Sequence, residues 1–154
     1  MRRYVSCSCS ATRAPLISIL AWIGFFSLVS DRAAAQERET VWDGVYTEEQ
    51  AVRGEQVYQD ECTFCHLDDL QGDAFATPLI DDAFTIRWNG SNLGDLMTVI
   101  QVTMPADRPA TLSNEAVADV IAFLLKMNDY PAGKDELRSD PVDLKSVLFT
   151  EPVP

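Results

Sequence analysis

Cys62-Thr63-Phe64-Cys65-His66 sets two thiols three residues apart and an imidazole directly behind the second, and His66 is the only histidine in 154 residues. Three chemistries draw on such residues. A thioredoxin-like dithiol opens a helix after a strand, where the positive helix terminus acidifies the first thiol; here the pair closes an expected helix in an acidic stretch, behind Asp60 and Glu61. A structural zinc takes four ligands, and a second ligand pair with a further histidine is lacking. Covalent attachment of a heme c uses the whole run: two thiols on one turn add to the two vinyl groups, and the adjacent imidazole is carried to the iron. The sequence favours this third reading, with Cys62 and Cys65 as attachment points and His66 as an iron ligand.

A single histidine forbids bis-histidine coordination within one chain. The sixth iron position therefore falls to a methionine, a weaker donor, water, or a residue of a partner. Met97 lies in an apolar helical stripe, Met127 at the end of another, and Met104 in Val102-Thr103-Met104-Pro105-Ala106-Asp107. Pro105 holds the residue before it in extended geometry, which keeps a thioether on a loop. Met104 is accordingly the preferred soft ligand for a low-charge iron, although each methionine could equally fill core space.

These residues need elements to position them. Thr47-Glu48-Glu49-Gln50 has capping-box spacing, with the Thr47 oxygen and the Gln50 side chain answering orphan amides, and predicts a helix over Glu48 to Glu61 whose Ala51, Gly54, Val57 and Tyr58 share one side. Gly54 costs a helix interior about 1 kcal/mol, a reason to expect another backbone close by. Ser113 caps a second helix reaching about Met127 with the stripe Val117, Val120, Ile121, Leu124 and Leu125. A third covers Leu93 to Gln101. Leu67 to Asn92 reads as loop carrying isolated hydrophobes, and Leu79, Phe84, Met97 and Val102 are core candidates. Past Asp129 prolines predict an extended tail with at most a short helix around Asp135 to Arg138. Leu144, Val147, Leu148 and Phe149 of this tail could strap onto a partner or cover the same domain's core. The fold class is all-α: three or more short helices and long loops wrapped around one covalent heme.

Ahead of this domain, Arg2, Arg3 and Arg13 precede an apolar run from Pro15 to Val29, and Ala33-Ala34-Ala35 offers a cleavage site. That order reads as a secretory signal peptide over residues 1–35; the run falls short of the ~20 residues that span a bilayer, with an uncleaved anchor as the alternative. Cleavage would remove Arg2, Arg3, Arg13, Arg32 and Asp31, taking the net charge from −12 to about −15. Cys7 and Cys9 would leave too. So acidic a chain is a poor binder of phosphate backbones, and nucleic acid is set aside as a partner.

Residues 42–130 resemble the small class I cytochrome c family, particularly bacterial single-heme domains associated with quinoprotein dehydrogenases. The resemblance rests on Gly54 and Tyr58 ahead of Cys62-Thr63-Phe64-Cys65-His66, on Thr103-Met104-Pro105, and on Leu112 to Leu125. It implies heme on Cys62 and Cys65, iron held by His66 and Met104, and the first and last helices crossing at Gly54 and Tyr58 against Val120 and Phe123. Arg87-Trp88-Asn89-Gly90 looks like the family's propionate-side loop, so Arg87 and Trp88 could donate to a propionate; an ordinary packed Trp and a solvated Arg are the alternative. Many relatives carry Gly directly after the heme-binding His, where this chain has Leu67. Tyr130-Pro131-Ala132-Gly133 resembles a wrap after the last helix, followed by a C-terminal extension, 131–154.

With both axial positions filled, outer-sphere electron transfer follows. The implied function is a periplasmic one-heme carrier between a donor, either a dehydrogenase of quinoprotein or molybdenum type or another respiratory donor, and a downstream acceptor, docking on a basic patch. The alternatives are a non-catalytic heme subunit docked in a larger redox complex, or an open heme reactive toward peroxide or gases if Met104 is not a ligand.

Overall fold

The computed structural model describes residues 38–152; the leader read over residues 1–35 lies outside them. Six helices follow in chain order: α1 (Glu48–Glu61), α2 (Thr63–His66), α3 (Asp81–Trp88), α4 (Leu93–Thr103), α5 (Asn114–Met127) and α6 (Pro141–Leu144). The described residues form an all-α domain without a sheet, whose only extended pairings are isolated bridges from Leu148 to Thr40 and to Asn92.

Helix α1 begins where its cap predicts, because the Thr47 hydroxyl accepts from the Gln50 amide at 3.1 Å. The capping box is only half built. The Gln50 side chain turns away from the helix start and pairs with the Leu137 backbone, donating to its carbonyl at 3.1 Å and accepting from its amide at 2.7 Å. Gln50 is 2% exposed, and a buried amide gains more from satisfying two backbone groups than from an end already solvated.

The main packing is α1 across α5. Gly54 sits at the crossing, where a Cβ would collide with the Asp119 carbonyl; the expected close backbone approach is present. Tyr58 stacks on Phe123 at 5.2 Å between ring centroids. Ala51, Val117, Val120, Ile121 and Leu124 complete a dry seam, each fully buried large aliphatic stabilising by about 1.5–3 kcal/mol. Arg53 ties the outer edge, reaching Asp119 through two hydrogen bonds and Glu136 through a third.

Three expectations change. The stretch read as loop contains α3, started by Asp81 and Asp82 and packed through Phe84 and Trp88; two apolar residues four apart sufficed because the core already offered a wall. Val102 is 60% exposed, whereas Phe84 and Met97 are buried and Leu79 partly so. No helix forms over Asp135 to Arg138. The tail's helical turn is α6, with Pro141 in the first turn and Asp140 accepting from Val142 at 2.8 Å, a placement where proline's missing amide costs nothing.

The tail covers the domain's own core. Leu137, Leu144, Val147 and Phe149 are buried, so these apolar residues are spent inside the fold and do not form an external strap. Its backbone pairs on both sides, with the Val41 amide donating to Leu148 O, the Gly90 amide to Phe149 O and the Leu93 amide to Val147 O, each at 3.0 Å. Trp42 Nε1 donates to Thr150 O at 2.7 Å. Tyr130 closes an aromatic cluster with Trp42 and Phe149, and Gly133 then passes so close to Gly44 that a side chain at 133 would strike the Gly44 carbonyl.

Candidate functional site

Cys62 ends one helix and opens the next. Its amide donates to Tyr58 O at 2.9 Å, while its carbonyl accepts from Cys65 at 3.1 Å and His66 at 2.9 Å. The single turn α2 thus carries both thiols and the imidazole at fixed spacing. Leu67 then adopts φ +61° with ψ 165°, a region almost confined to glycine that costs a side-chain-bearing residue about 1–3 kcal/mol. This is a physical reason for glycine to be common after such a histidine. Leu67 is held there by the Tyr58 hydroxyl, which donates to its carbonyl at 2.7 Å.

His66 is 8% exposed, and its Nδ1 lies 3.0 Å from Thr77 O. A carbonyl only accepts, so Nδ1 is the donor, and in the neutral imidazole that arrangement leaves the lone pair on Nε2, as a metal-binding imidazole needs. The loop supplying Thr77 is itself pinned. Gly72 donates to His66 O at 3.0 Å, Leu79 to Leu70 O at 2.8 Å, and Asp73 accepts from the Phe75 and Ala76 amides. Those two amides hold the Asp73 carboxyl below its usual range. Thr77 was not singled out in the sequence, because its contribution is a backbone oxygen; Pro78 behind it, biasing it toward extended geometry, was the available signal.

The thiols are free of a disulfide. Burial first, then Glu61 and Cys65, push the Cys62 thiol up to about 11. A dithiol redox centre requires the opposite shift, and no strand precedes the motif among the described residues. Nor do three or more His, Cys, Asp or Glu side chains cluster there as a metal site would require.

Met104 caps the end of α4 with φ −123° and ψ 151°, the extended conformation that Pro105 imposes, and it remains partly exposed. Met97 is completely buried beside Leu93 and Leu96, its sulfur enclosed by core packing. Met127, 37% exposed, lies at the far end of α5. The loop beyond Met104 reaches back to the motif through Arg108, whose guanidinium pairs with Glu61, the residue before Cys62. Arg87 and Trp88 are not joined to the motif by any hydrogen bond. Trp88 is buried near Phe149 at 6.2 Å, and the exposed Arg87 lies over the Trp88 ring at 5.5 Å, the stacked arrangement of a solvated cation on an aromatic face.

The donor set fits a covalently held heme: two thiols and an imidazole on one turn, the imidazole oriented through Nδ1 by the Thr77 carbonyl. No curated protein and no solved structure matches the chain. Residues 49–124, from the first turn of α1 to near the end of α5, match the family model described as Cytochrome C oxidase, cbb3-type, subunit III. The stretch that bears the thiols, His66 and Met104 is thus similar to a heme-associated cytochrome family of oxidase type.

Proposed function

We propose that this chain is a one-heme electron-transfer subunit of a larger respiratory oxidoreductase, with heme c attached through Cys62 and Cys65 and iron held between His66 Nε2 and Met104. The observation that carries the reading is the His66 Nδ1 contact with Thr77 O. When bound, the heme supplies a one-electron ferric–ferrous couple. The chain's own residues hold and tune it. Thr77 fixes the imidazole plane, and Pro105 presents the thioether from an extended loop. The buried seam around Tyr58 and Phe123 keeps the motif turn rigid, so that little rearranges between the two charge states.

Membership of a complex is supported by the matched family's description, which names an oxidase subunit. The leader over residues 1–35 supports export to the periplasm, and a retained leader would anchor the subunit. The dehydrogenase-linked carrier remains the second reading, favoured by the strongly acidic mature chain, which suits a diffusing protein steered to a basic partner patch.

The test is optical and biochemical. Periplasmic and membrane fractions should contain a polypeptide that stays heme-stained under denaturation, with a near-infrared Met-to-iron band in the ferric state and no rapid carbon monoxide binding in the ferrous state. Co-purification with membrane oxidoreductase subunits supports the complex; recovery solely as a soluble monomer supports the carrier. A polypeptide without covalent heme overturns both.

A further inference from the structure

The loop that follows Met104 is held to the motif by charge. Pro105 is buried, but Ala106 to Thr111 are all exposed, so this segment has little apolar anchorage of its own. It is shaped locally, the Arg108 amide donating to Pro105 O at 3.0 Å and Thr111 Oγ1 donating to Arg108 O at 2.8 Å. Helix α4, which leads into Met104, packs mainly on α5 and α6. Among the described residues, Arg108–Glu61 is the only ion pair joining this loop to α1. Glu61 is the last residue of α1 and the covalent neighbour of Cys62. Asp107 also approaches the guanidinium, its carboxylate 3.6 Å from Nε, so the cation has two carboxylates near it.

We infer that Glu61 and Arg108 form a latch that keeps the Met104-bearing loop closed against the attachment motif and sets how often that loop opens. The inference rests on the reading of Met104 as an iron ligand. Both are positioning residues: they touch neither the thiols nor the methionine, and act through the loop that carries it. Glu61 is 24% exposed and Arg108 47% exposed in their side chains, so the pair is partly screened, and a pair of this kind shifts an equilibrium by about two- to fivefold. That is too little to decide folding. It is enough to change the open fraction of an exposed loop, where local opening costs far less than global unfolding. Salt should weaken the latch, because partly exposed charges are screened.

The test uses the heme-loaded full chain and imidazole as an external iron ligand. Imidazole can bind the ferric protein only when the methionine has left, so its association rate reads loop opening, while the near-infrared band reads the closed state. Arg108→Ala and Glu61→Gln are expected to raise that rate about two- to fivefold and to lose most of its acceleration by salt, with thermal midpoints little changed. The charge-swapped Glu61→Arg/Arg108→Glu protein is expected to recover the slow rate, which a merely structural role of either residue would not produce. Unchanged rates in both single variants, with the band present, overturn the latch alone. An unsubstituted protein lacking the band overturns the Met104 reading and the latch with it.

Discussion

His66 owes its orientation to a backbone oxygen, so no side-chain substitution at Thr77 removes the contact; only displacement of the loop from Gly72 to Leu79 would. The methionines separate more easily. Met104→Ala is expected to abolish the near-infrared band of the ferric heme protein. Met97→Ala should leave the band in place while destabilising the fold by about 2–5 kcal/mol, the cost of a cavity at a fully buried site. Loss of the band in Met97→Ala alone would reverse the ligand assignment. Tyr46 makes a separate prediction. Its hydroxyl donates to Tyr130 O at 2.7 Å, and burial, with Glu48 nearby, raises its phenol from 10.0 to about 12. A folded value above the unfolded one means that its stabilisation is complete below pH 10 and drains away as pH climbs through about 12. Tyr46→Phe should therefore flatten the alkaline fall in denaturant stability, and cost about 0.5–1.5 kcal/mol at neutral pH for the lost bond. Tyr58 and Tyr130 are raised in the same direction, so the flattening is partial.

At the scale of elements, the α1–α5 crossing and the tail carry the load. Alanine is a better helix former than glycine by about 1 kcal/mol, yet Gly54→Ala would drive a methyl into the Asp119 carbonyl. The collision is with backbone, so the helices must part, and a net loss of about 1–3 kcal/mol is expected by denaturant titration. A stabilised variant would mean that the crossing is looser than described. Phe149 joins the tail to Phe84, Trp88 and Tyr130. Phe149→Ala should cost about 3–5 kcal/mol, against less than about 0.5 kcal/mol for Val142→Ala on the exposed face of α6. Equal effects at the two positions would show that the tail is peripheral.

For the whole molecule, charge governs encounter more than fold. Twenty-four acidic against 12 basic side chains create a negative field that steers association toward basic surfaces and is screened over about 8 Å at physiological ionic strength. Electron transfer with a basic redox partner should slow as salt rises from low to physiological concentration, measured as the second-order rate by stopped flow. A rate indifferent to salt would match a subunit already seated in its complex, where no encounter remains to be steered. Heme-free protein is expected to be less stable than heme-loaded protein, because a covalently attached group stays on the unfolded chain but has its apolar surface buried only in the folded one.

Local patterns were enough for what depends on local physics. Cys62-Thr63-Phe64-Cys65-His66 places two thiols and an imidazole on one turn, as its spacing implies; Thr47 and Ser113 start helices through hydrogen bonds within three residues; and Pro105 dictates the conformation of its neighbour. Gly54 announced a close approach because only proximity justifies glycine there. Contacts between distant parts of the chain left no such mark. Gln50 abandons its cap for Leu137, 87 residues away, and α3 forms on the strength of two buried aromatics whose wall is built by Phe149. The acceptor for His66 is a carbonyl, which every residue possesses. Whether Leu144, Val147 and Phe149 turned inward or outward rested on whether the core had room for them, and room is a property of the assembled fold. The joining of Arg108 to Glu61, 47 residues apart, likewise belongs to the tertiary structure, because oppositely charged side chains abound in this sequence and only packing selects which two meet.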